Sequence, residues 1–355
     1  MKDRMMGNMK ILTKIFITID FLIILVLVVI YAPIFNYVQK YLVNDIAIDK
    51  KMNYLSYTFY DENKVDELAN DNIYISSFEE SYYGDTNPKK ITYDNIYDQL
   101  ILTRDQGNDN YKIIKTLIGG YPAYIVVIYH PEDIVLLRSR AFNTRDHYSG
   151  LSTVKQMTKA VGAVVGINGG GFMNDARTYG IDTPTGWIIK DSKIIWTRTD
   201  KNKGNIIGID NNNRLRLVQA TGTEAIEMGI RDAMEFGPFL IVDGVKQKLG
   251  LYAGGFQRTS RTVIAQREDG IMLFVVTDNY GRFYQGPNMN ELADKLLLYG
   301  VVNAANLDGG GSSQLVVNGK LYNHPVSIYH EPVNGGNGRS VVNGWGLVVG
   351  SSKNK

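Results

Sequence analysis

The 355-residue chain has no cysteine and only four histidines, His130, His147, His324 and His330. The missing thiols exclude disulfide scaffolds, cysteine nucleophiles, cysteine-based zinc sites and thiolate iron–sulfur clusters together. An excess of either charge is missing too. The 38 Lys+Arg residues against 36 Asp+Glu leave a net charge of +2, which argues against a chain-wide polyanion-binding role, and nucleic acid is not an expected partner. The G-x-S-x-G elbow, H-E-x-x-H and the phosphate-binding P-loop are all absent. What remains is chemistry by carboxylates, hydroxyls, amides, arginine and backbone. With 44% hydrophobic and 21% charged residues, the chain can still bury a sizeable core.

Glycine is scarce at first and abundant later: of 36, only Gly7 and Gly84 precede residue 107. This draws a boundary between a Gly-poor N-terminal part and a Gly-rich, turn-rich body. The N-terminal part opens with the apolar run Ile15–Phe35, about as long as the roughly 20 residues that cross a bilayer as a helix. Lys2, Arg4, Lys10 and Lys14 precede it against one Asp3, whereas Asn36–Asn110 holds fourteen Asp/Glu and seven Lys/Arg. The positive-inside rule then puts the N-terminus in the cytoplasm and the remainder outside. A cleaved signal peptide is the rival reading, but no small-x-small cleavage site follows the run. The expected organisation is a cytoplasmic basic tail (1–14), a single-pass signal-anchor in the cell membrane (15–37), an extracellular stalk (38–109) and a body (110–355). In the stalk, Asp61–Asn70 and Tyr93–Leu102 are candidate short helices.

The body reads as strands interrupted by a few helices. Tyr121–Tyr129, Ile134–Leu137 and Ala163–Ile167 have the β-branched and aromatic content of buried strands. Turn signals at Lys190–Ser192, Asp243-Gly244, Asp269-Gly270 and Asn318-Gly319 separate hairpin arms. Helices are expected at Ser152–Val161 with Ser152 as N-cap, at Thr223–Phe236, and at Met289–Tyr299 before Gly300. The expected fold class is α+β, a mixed, largely antiparallel sheet with a few flanking helices, preceded by one transmembrane helix. Asp210–Asn213 faintly resembles a calcium loop, but Leu215 and Thr221 stand where Gly and Glu are needed, so a hairpin turn is expected.

Two glycine strings carry the candidate site. Asp308, Gly309, Gly310, Gly311, Ser312 and Ser313 lie between the strand-like VVNAANL and QLVV. Three glycines between buried strands cost backbone entropy, so a ligand or another chain segment must come close there. Consecutive amides can cradle an anion and the hydroxyls add donors; a tight structural turn is the alternative. The second string, Asn168 to Gly171 and including Gly170, ends the strand Ala163–Ile167. Two such strand ends suggest one shared cleft with Asn168 and Asp308 at its floor. Arg258, Arg261, Arg282 and Arg339 could supply bidentate contacts to phosphate or carboxylate. His324 is the one histidine near a candidate loop and reads as an ordinary loop residue.

The blocks INGGGF (Ile167–Phe172), FGPFLIVDG (Phe236–Gly244), RTSRTVIAQREDGIMLFVV (Arg258–Val276), NELADKLLLYG (Asn290–Gly300), NLDGGGSSQLVVNG (Asn306–Gly319) and RSVVNGWGLVV (Arg339–Val349) occur in this order. Together they resemble the phosphodiester glycosidase family over roughly Tyr111–Gly350. The resemblance implies hydrolysis of the anomeric C–O bond of a sugar-1-phosphodiester, and bacterial members are associated with exopolysaccharide and surface glycans. The transition state of that reaction has oxocarbenium character and wants a carboxylate beside C1. It implies Asp308 as that carboxylate, with Gly309–Gly311, Ser312 and Ser313 holding phosphate. Asn168 and Arg261 would orient sugar and phosphate, and Gly170, Arg339 and Asp278 are further binding candidates. Glu235 and Asp243 are candidates for a second carboxylate, although Asp243 reads better as a turn residue. No metal or other cofactor is demanded by this chemistry.

Two departures fall at the expected cleft rim. Thr277–Arg282 replaces the family's usual Asp-Gly-Arg string, and Gly286–Met289 replaces its Gly-Met-Thr helix opening. They leave open a glycan-binding module without turnover, and the same loops could also serve a phosphodiesterase cleaving P–O in a teichoic-acid-like polymer.

Overall fold

The structure is a computed structural model that describes residues 2–31, 95–139, 151–175, 181–197, 202–249, 257–278, 286–326 and 333–350. The chain divides into two compact units, residues 1–73 with 250–257, and residues 74–249 with 258–355. The candidate helix Asp61–Asn70, Arg282, His147 and His330 lie outside the described residues.

In the first unit, α1 (Lys2–Tyr31) contains most of the apolar run. Its large apolar side chains from Ile15 to Val28 are exposed. Among the described residues no helix is long and apolar enough to cross a membrane; the membrane role of this run is taken up below as a proposal.

The second unit begins with α2 (Ile96–Leu102), β1 (Tyr111–Ile118), β2 (Tyr121–Ile128), β3 (Ile134–Arg138), α3 (Val154–Val161), β4 (Val165–Asn168), β5 (Phe172–Asp175) and β6 (Ile181–Pro184). It continues with β7 (Ile188–Lys190), β8 (Lys193–Trp196), β9 (Gly204–Asp210), β10 (Leu215–Ala220), α4 (Gly222–Glu227), β11 (Ile230–Glu235), β12 (Phe239–Val242) and β13 (Val245–Lys246). Last come β14 (Thr262–Arg267), β15 (Met272–Thr277), α5 (Met289–Leu298), β16 (Val301–Leu307), β17 (Leu315–Val317), β18 (Lys320–Leu321) and β19 (Asn343–Leu347).

These strands form a seven-stranded sheet (β1-β2-β15-β14-β16-β12-β13), two five-stranded sheets (β10-β9-β11-β7-β8 and β18-β17-β4-β19-β3) and the small hairpin β5-β6. Every pairing between described strands is antiparallel, so the expected mixed sheet resolves into antiparallel ones.

Strand alternation explains how the sheets pack. Ile264, Phe274 and Leu307 from the large sheet, Ile167 and Trp345 from one small sheet, and Ile207 and Met234 from the other enclose one common core. The intervening residues face outward and are covered by helices. Val263, Ala265 and Val275 meet α5 and α2; Leu137 and Val316 meet α3; Ile189, Ile206 and Ala233 meet α4.

Local chemistry sets the element ends. The expected hairpins form, with Asp191-Ser192, Asp243-Gly244 and Asn318-Gly319 in left-handed turns. Asp210 closes its hairpin by accepting from Asn212 N and Arg214 N, so that loop is a turn. Three expectations change. Thr153, not Ser152, caps α3 through a capping box with Gln156, because Ser152 is drawn into a bridge with Val341. The helix expected over Thr223–Phe236 stops at Glu227: Gly229 turns left-handed, and Ile230–Glu235 pairs as β11 with β9 and β7. Finally, a boundary at residue 109 falls inside the packed unit. Ile101 of α2 is fully buried and Asp98 pairs with Arg267 at 2.8 Å, contacts that a glycine count does not register.

Gly344 on β19 lies so close to β4 that a Cβ would stand 2.1 Å from the Ile167 carbonyl. Gly344→Ala is expected to lower stability by about 1–3 kcal/mol. Urea unfolding checks this, and an unchanged midpoint would refute the close approach.

Candidate active site

Asn168 ends β4, which pairs with β19 up to that residue, and Asp308 directly follows β16, which pairs with β14 up to Leu307, so the two stand side by side. Asn168 is fully buried. Its Nδ2 donates to the Asp308 carbonyl at 2.7 Å, and its Oδ1 accepts from Thr262 Oγ1 at 2.7 Å and Gln314 N at 3.0 Å. The side chain therefore joins β4 to the beginnings of β14 and β17 and the end of β16. It is a positioning residue, with no side-chain surface left for the sugar that sequence reasoning had it orient.

The Asp308 carboxylate is partly buried and faces donors. Gly309 N donates to Oδ1 at 3.0 Å and the Ser312 hydroxyl donates to the carboxylate. Burial raises its pKa above 3.8, while Ser312, Arg339, Gly309 and Arg261 pull it back down. Arg261 is buried, and desolvation lowers its guanidinium pKa to about 10, with Asp308 opposing that fall. It thus stays a cation at neutral pH. Arg339 is exposed: its guanidinium lies over the Phe172 ring at 4.8 Å and Nη1 donates to Ser312 Oγ at 3.3 Å. One carboxylate thus sits between a buried and an open guanidinium, bridged to the open one by a hydroxyl.

The glycines serve close packing more than anion binding. Gly310 N donates to Ser260 O at 2.8 Å, Ser312 N to Gly309 O and Ser313 N to Gly310 O. With Gly309 N turned to Asp308, these four amides are engaged within the protein. Gly309 itself is required, since a Cβ would stand 2.8 Å from the Ser260 carbonyl. Ser312 and Ser313 are both fully buried, and the Ser312 hydroxyl is turned to Asp308, which takes both out of the predicted phosphate set. Gly170 N donates to Asn343 Oδ1 at 2.8 Å, so Gly170 also serves the scaffold.

The remaining candidates separate. Asp278 is a buried acceptor for Asn323 Nδ2, His324 N and the Tyr124 hydroxyl, which fixes the turn after β18. The exposed His324 ring lies 3.5 Å from it. Arg258 is committed to Glu291 of α5 through two bonds of 3.1 and 2.7 Å. The altered opening of α5 retains a cap, because Asn288 and Glu291 form a capping box. Glu235 accepts from Trp187 N at 3.0 Å in a slot left by Gly186 and Gly204, and burial raises its pKa. It follows Met234, whose sulfur lies against Gly169, and so faces the other side of β11. Asp243 is a turn residue.

Sequence reasoning missed three buried amides, Gln314, Asn323 and Asn343. Each lay inside or beside a block already singled out, and for Gln314 and Asn343 the signal was a polar residue at the edge of an apolar strand. No group of three or more metal-ligating side chains occurs among the described residues.

Fold and site together define an α+β domain of antiparallel sheets with a carboxylate–arginine centre. The family model described as phosphodiester glycosidase matches residues 161–348, more than half of the chain, and the chain belongs to that family. The SPbeta prophage-derived protein YomE of Bacillus subtilis (strain 168) is 26% identical over 177 residues, 48% of this chain and 27% of that protein. N-acetylglucosamine-1-phosphodiester alpha-N-acetylglucosaminidase of Bos taurus is 38% identical over 77 residues, 20% of this chain and 14% of the enzyme. The chain thus spans a minor part of the length of these relatives. The zebrafish enzyme of the same name, solved as a catalytic domain auto-inhibited by its pro-peptide, has a similar fold. Its TM-score is 0.54 at 19% identity, covering 67% of this chain and 82% of that one.

Because burial raises the Asp308 pKa, an activity that needs its carboxylate is expected to fail on acidification at a pH above 3.8. Arg339 opposes that shift, so Arg339→Gln should move the acid limb of kcat/KM to still higher pH. A limb that stays put or moves down in the variant would show that Arg339 does not act on Asp308.

Proposed function

We propose that this chain hydrolyses the anomeric C–O bond of a sugar-1-phosphodiester, with Asp308 as the carboxylate at C1. The observation that supports it best is the sequence Arg339, Ser312, Asp308, Arg261 across one loop. Phosphorus is one oxygen removed from C1, so a phosphate held by Arg339 at the open side, with Ser312 linking that guanidinium to the carboxylate, brings C1 next to Asp308. Arg261 beneath supplies a fixed positive charge in a water-poor setting, where it acts more strongly than in solvent. Phosphate leaves readily once its charge is met, so the main demand is anion stabilisation, and Asp308 serves as nucleophile or activates water.

The substrate is proposed to be a surface glycan or exopolysaccharide outside the cell, with Ile15–Phe35 as a signal-anchor. The exposed apolar side chains Ile15–Val28 of α1 support this reading, since an exposed apolar surface of that extent marks contact with a membrane or another protein. Full-length protein is then expected to stay with membranes through an alkaline carbonate wash, and its release into the supernatant would refute anchoring.

The activity is tested on the full chain with a GlcNAc-1-phosphodiester, the sugar named for the bovine relative, in ¹⁸O-labelled water. Label is expected in the released sugar; label in phosphate would mean P–O cleavage, and unchanged ligand would mean a binding module. Asp308→Asn should lower turnover by about 10²–10⁴-fold. Full turnover in a folded variant would remove Asp308 from the mechanism.

A further inference from the structure

Two of the buried amides reach different halves of the site. Asn343 begins β19 and lies under the loop that follows β4. Its backbone carbonyl accepts from Gly169 N at 3.0 Å and its Oδ1 from Gly170 N at 2.8 Å. The fit is close enough that a Cβ on Gly169 would stand 2.3 Å from Asn343 Oδ1. Gly169 in turn accepts from Asp308 N at 2.9 Å. Asn343 is 1% exposed, so it cannot itself meet substrate. Its two bonds fix the one carbonyl to which the Asp308 amide is tied.

Gln314 is fully buried on the opposite side of the loop. Its Nε2 donates to Arg339 O at 2.8 Å and to Ser312 O at 3.3 Å, so one amide group spans the backbones of the open guanidinium and the bridging hydroxyl. Gly338 is left-handed and leaves room for this side chain: a Cβ there would stand 2.2 Å from Gln314 Oε1. The backbone of Gln314 donates to Asn168 Oδ1, which anchors the clamp to the strand ends.

We propose that Asn343 and Gln314 are positioning residues with separate duties, Asn343 fixing the carboxylate at C1 through Gly169 and Gln314 fixing Arg339, which receives phosphate, against the backbone of Ser312. The inference rests on the proposed glycosidase reading for its kinetic form, and on geometry alone for its binding form. A carboxylate moved by a fraction of an ångström loses its approach to C1 while phosphate still binds. A loosened Arg339 holds phosphate less well, while the bond from Asp308 N to Gly169 O keeps the Asp308 backbone in place. The two changes therefore separate kcat from KM.

The test compares full-length wild type with Asn343→Ala, Asn343→Asp, Gln314→Leu and Gly338→Ala, all assayed below their melting temperatures. Asn343→Ala should lower kcat by about 10²-fold with KM within about twofold, and Asn343→Asp, which keeps an acceptor for Gly170, should recover most of it. Gln314→Leu and Gly338→Ala should raise KM by about tenfold, equivalent to about 1.4 kcal/mol, with kcat little changed. Two further readouts do not need turnover: the affinity for inorganic phosphate, weakened only in the Gln314 and Gly338 variants, and the backbone amide signals of Gly169 and Gly170 by NMR, displaced only in Asn343→Ala. If wild type cleaves no phosphodiester but these two readouts divide as stated, the glycosidase reading falls and the division of duties stands. If all four variants change kcat and KM alike, or lower only the melting temperature, the proposal is wrong.

Discussion

The side chain of Asn168 uses three hydrogen bonds to hold together the ends of strands from two sheets. Thr262 belongs to the seven-stranded sheet and Asp308 directly follows its strand β16, while Asn168 ends β4 and Gln314 directly precedes β17 of the other sheet. Sheets that meet only through apolar side chains can slide on each other at modest cost, whereas an amide with fixed partners on both sides defines one relative position. Asp308 enters the site through its carbonyl on Asn168 and its amide on Gly169. The carboxylate is thereby located by the backbone, and the loop that carries it needs no ligand to take shape.

The charge arrangement follows from that placement. A buried guanidinium without a nearby anion would be expensive, and Arg261 is buried. Asp308 partly compensates it from the cleft side, and it is itself only half removed from water. The centre contains two guanidiniums and one carboxylate, so a phosphodiester, carrying one negative charge, brings it to balance. The same arithmetic separates the inner arginine, which is part of the fold, from the outer one, which is part of the recognition surface.

Much of the fold was legible in the sequence because it was written in local chemistry. Asp-Gly and Asn-Gly between apolar runs specify left-handed hairpin turns, and those turns form. Ile230–Glu235 was misread because IRDAME follows a capped helical turn, and only pairing with β9 and β7 decides its conformation. At the site, Asp308, Arg261 and Arg339 were identified by residue type and do converge. The roles of the glycines were not legible, since an amide chain that cradles an anion and one that packs against Ser260 and Asn343 have the same sequence. Nor does any local rule reveal that Asn343 and Gln314, far apart in the chain, serve opposite sides of one loop.

The common core has a consequence for how the site is lost. Ile167, Phe274 and Met234 come from three different sheets and pack into the same interior, so no sheet retains its apolar face when another departs. Such an arrangement favours cooperative unfolding over fraying of one layer. The strand ends that carry Asn168 and Asp308 lie at the border of that interior. Their alignment should therefore persist up to the global transition, and amide exchange at Gly169 and Asp308 should report the stability of the whole domain.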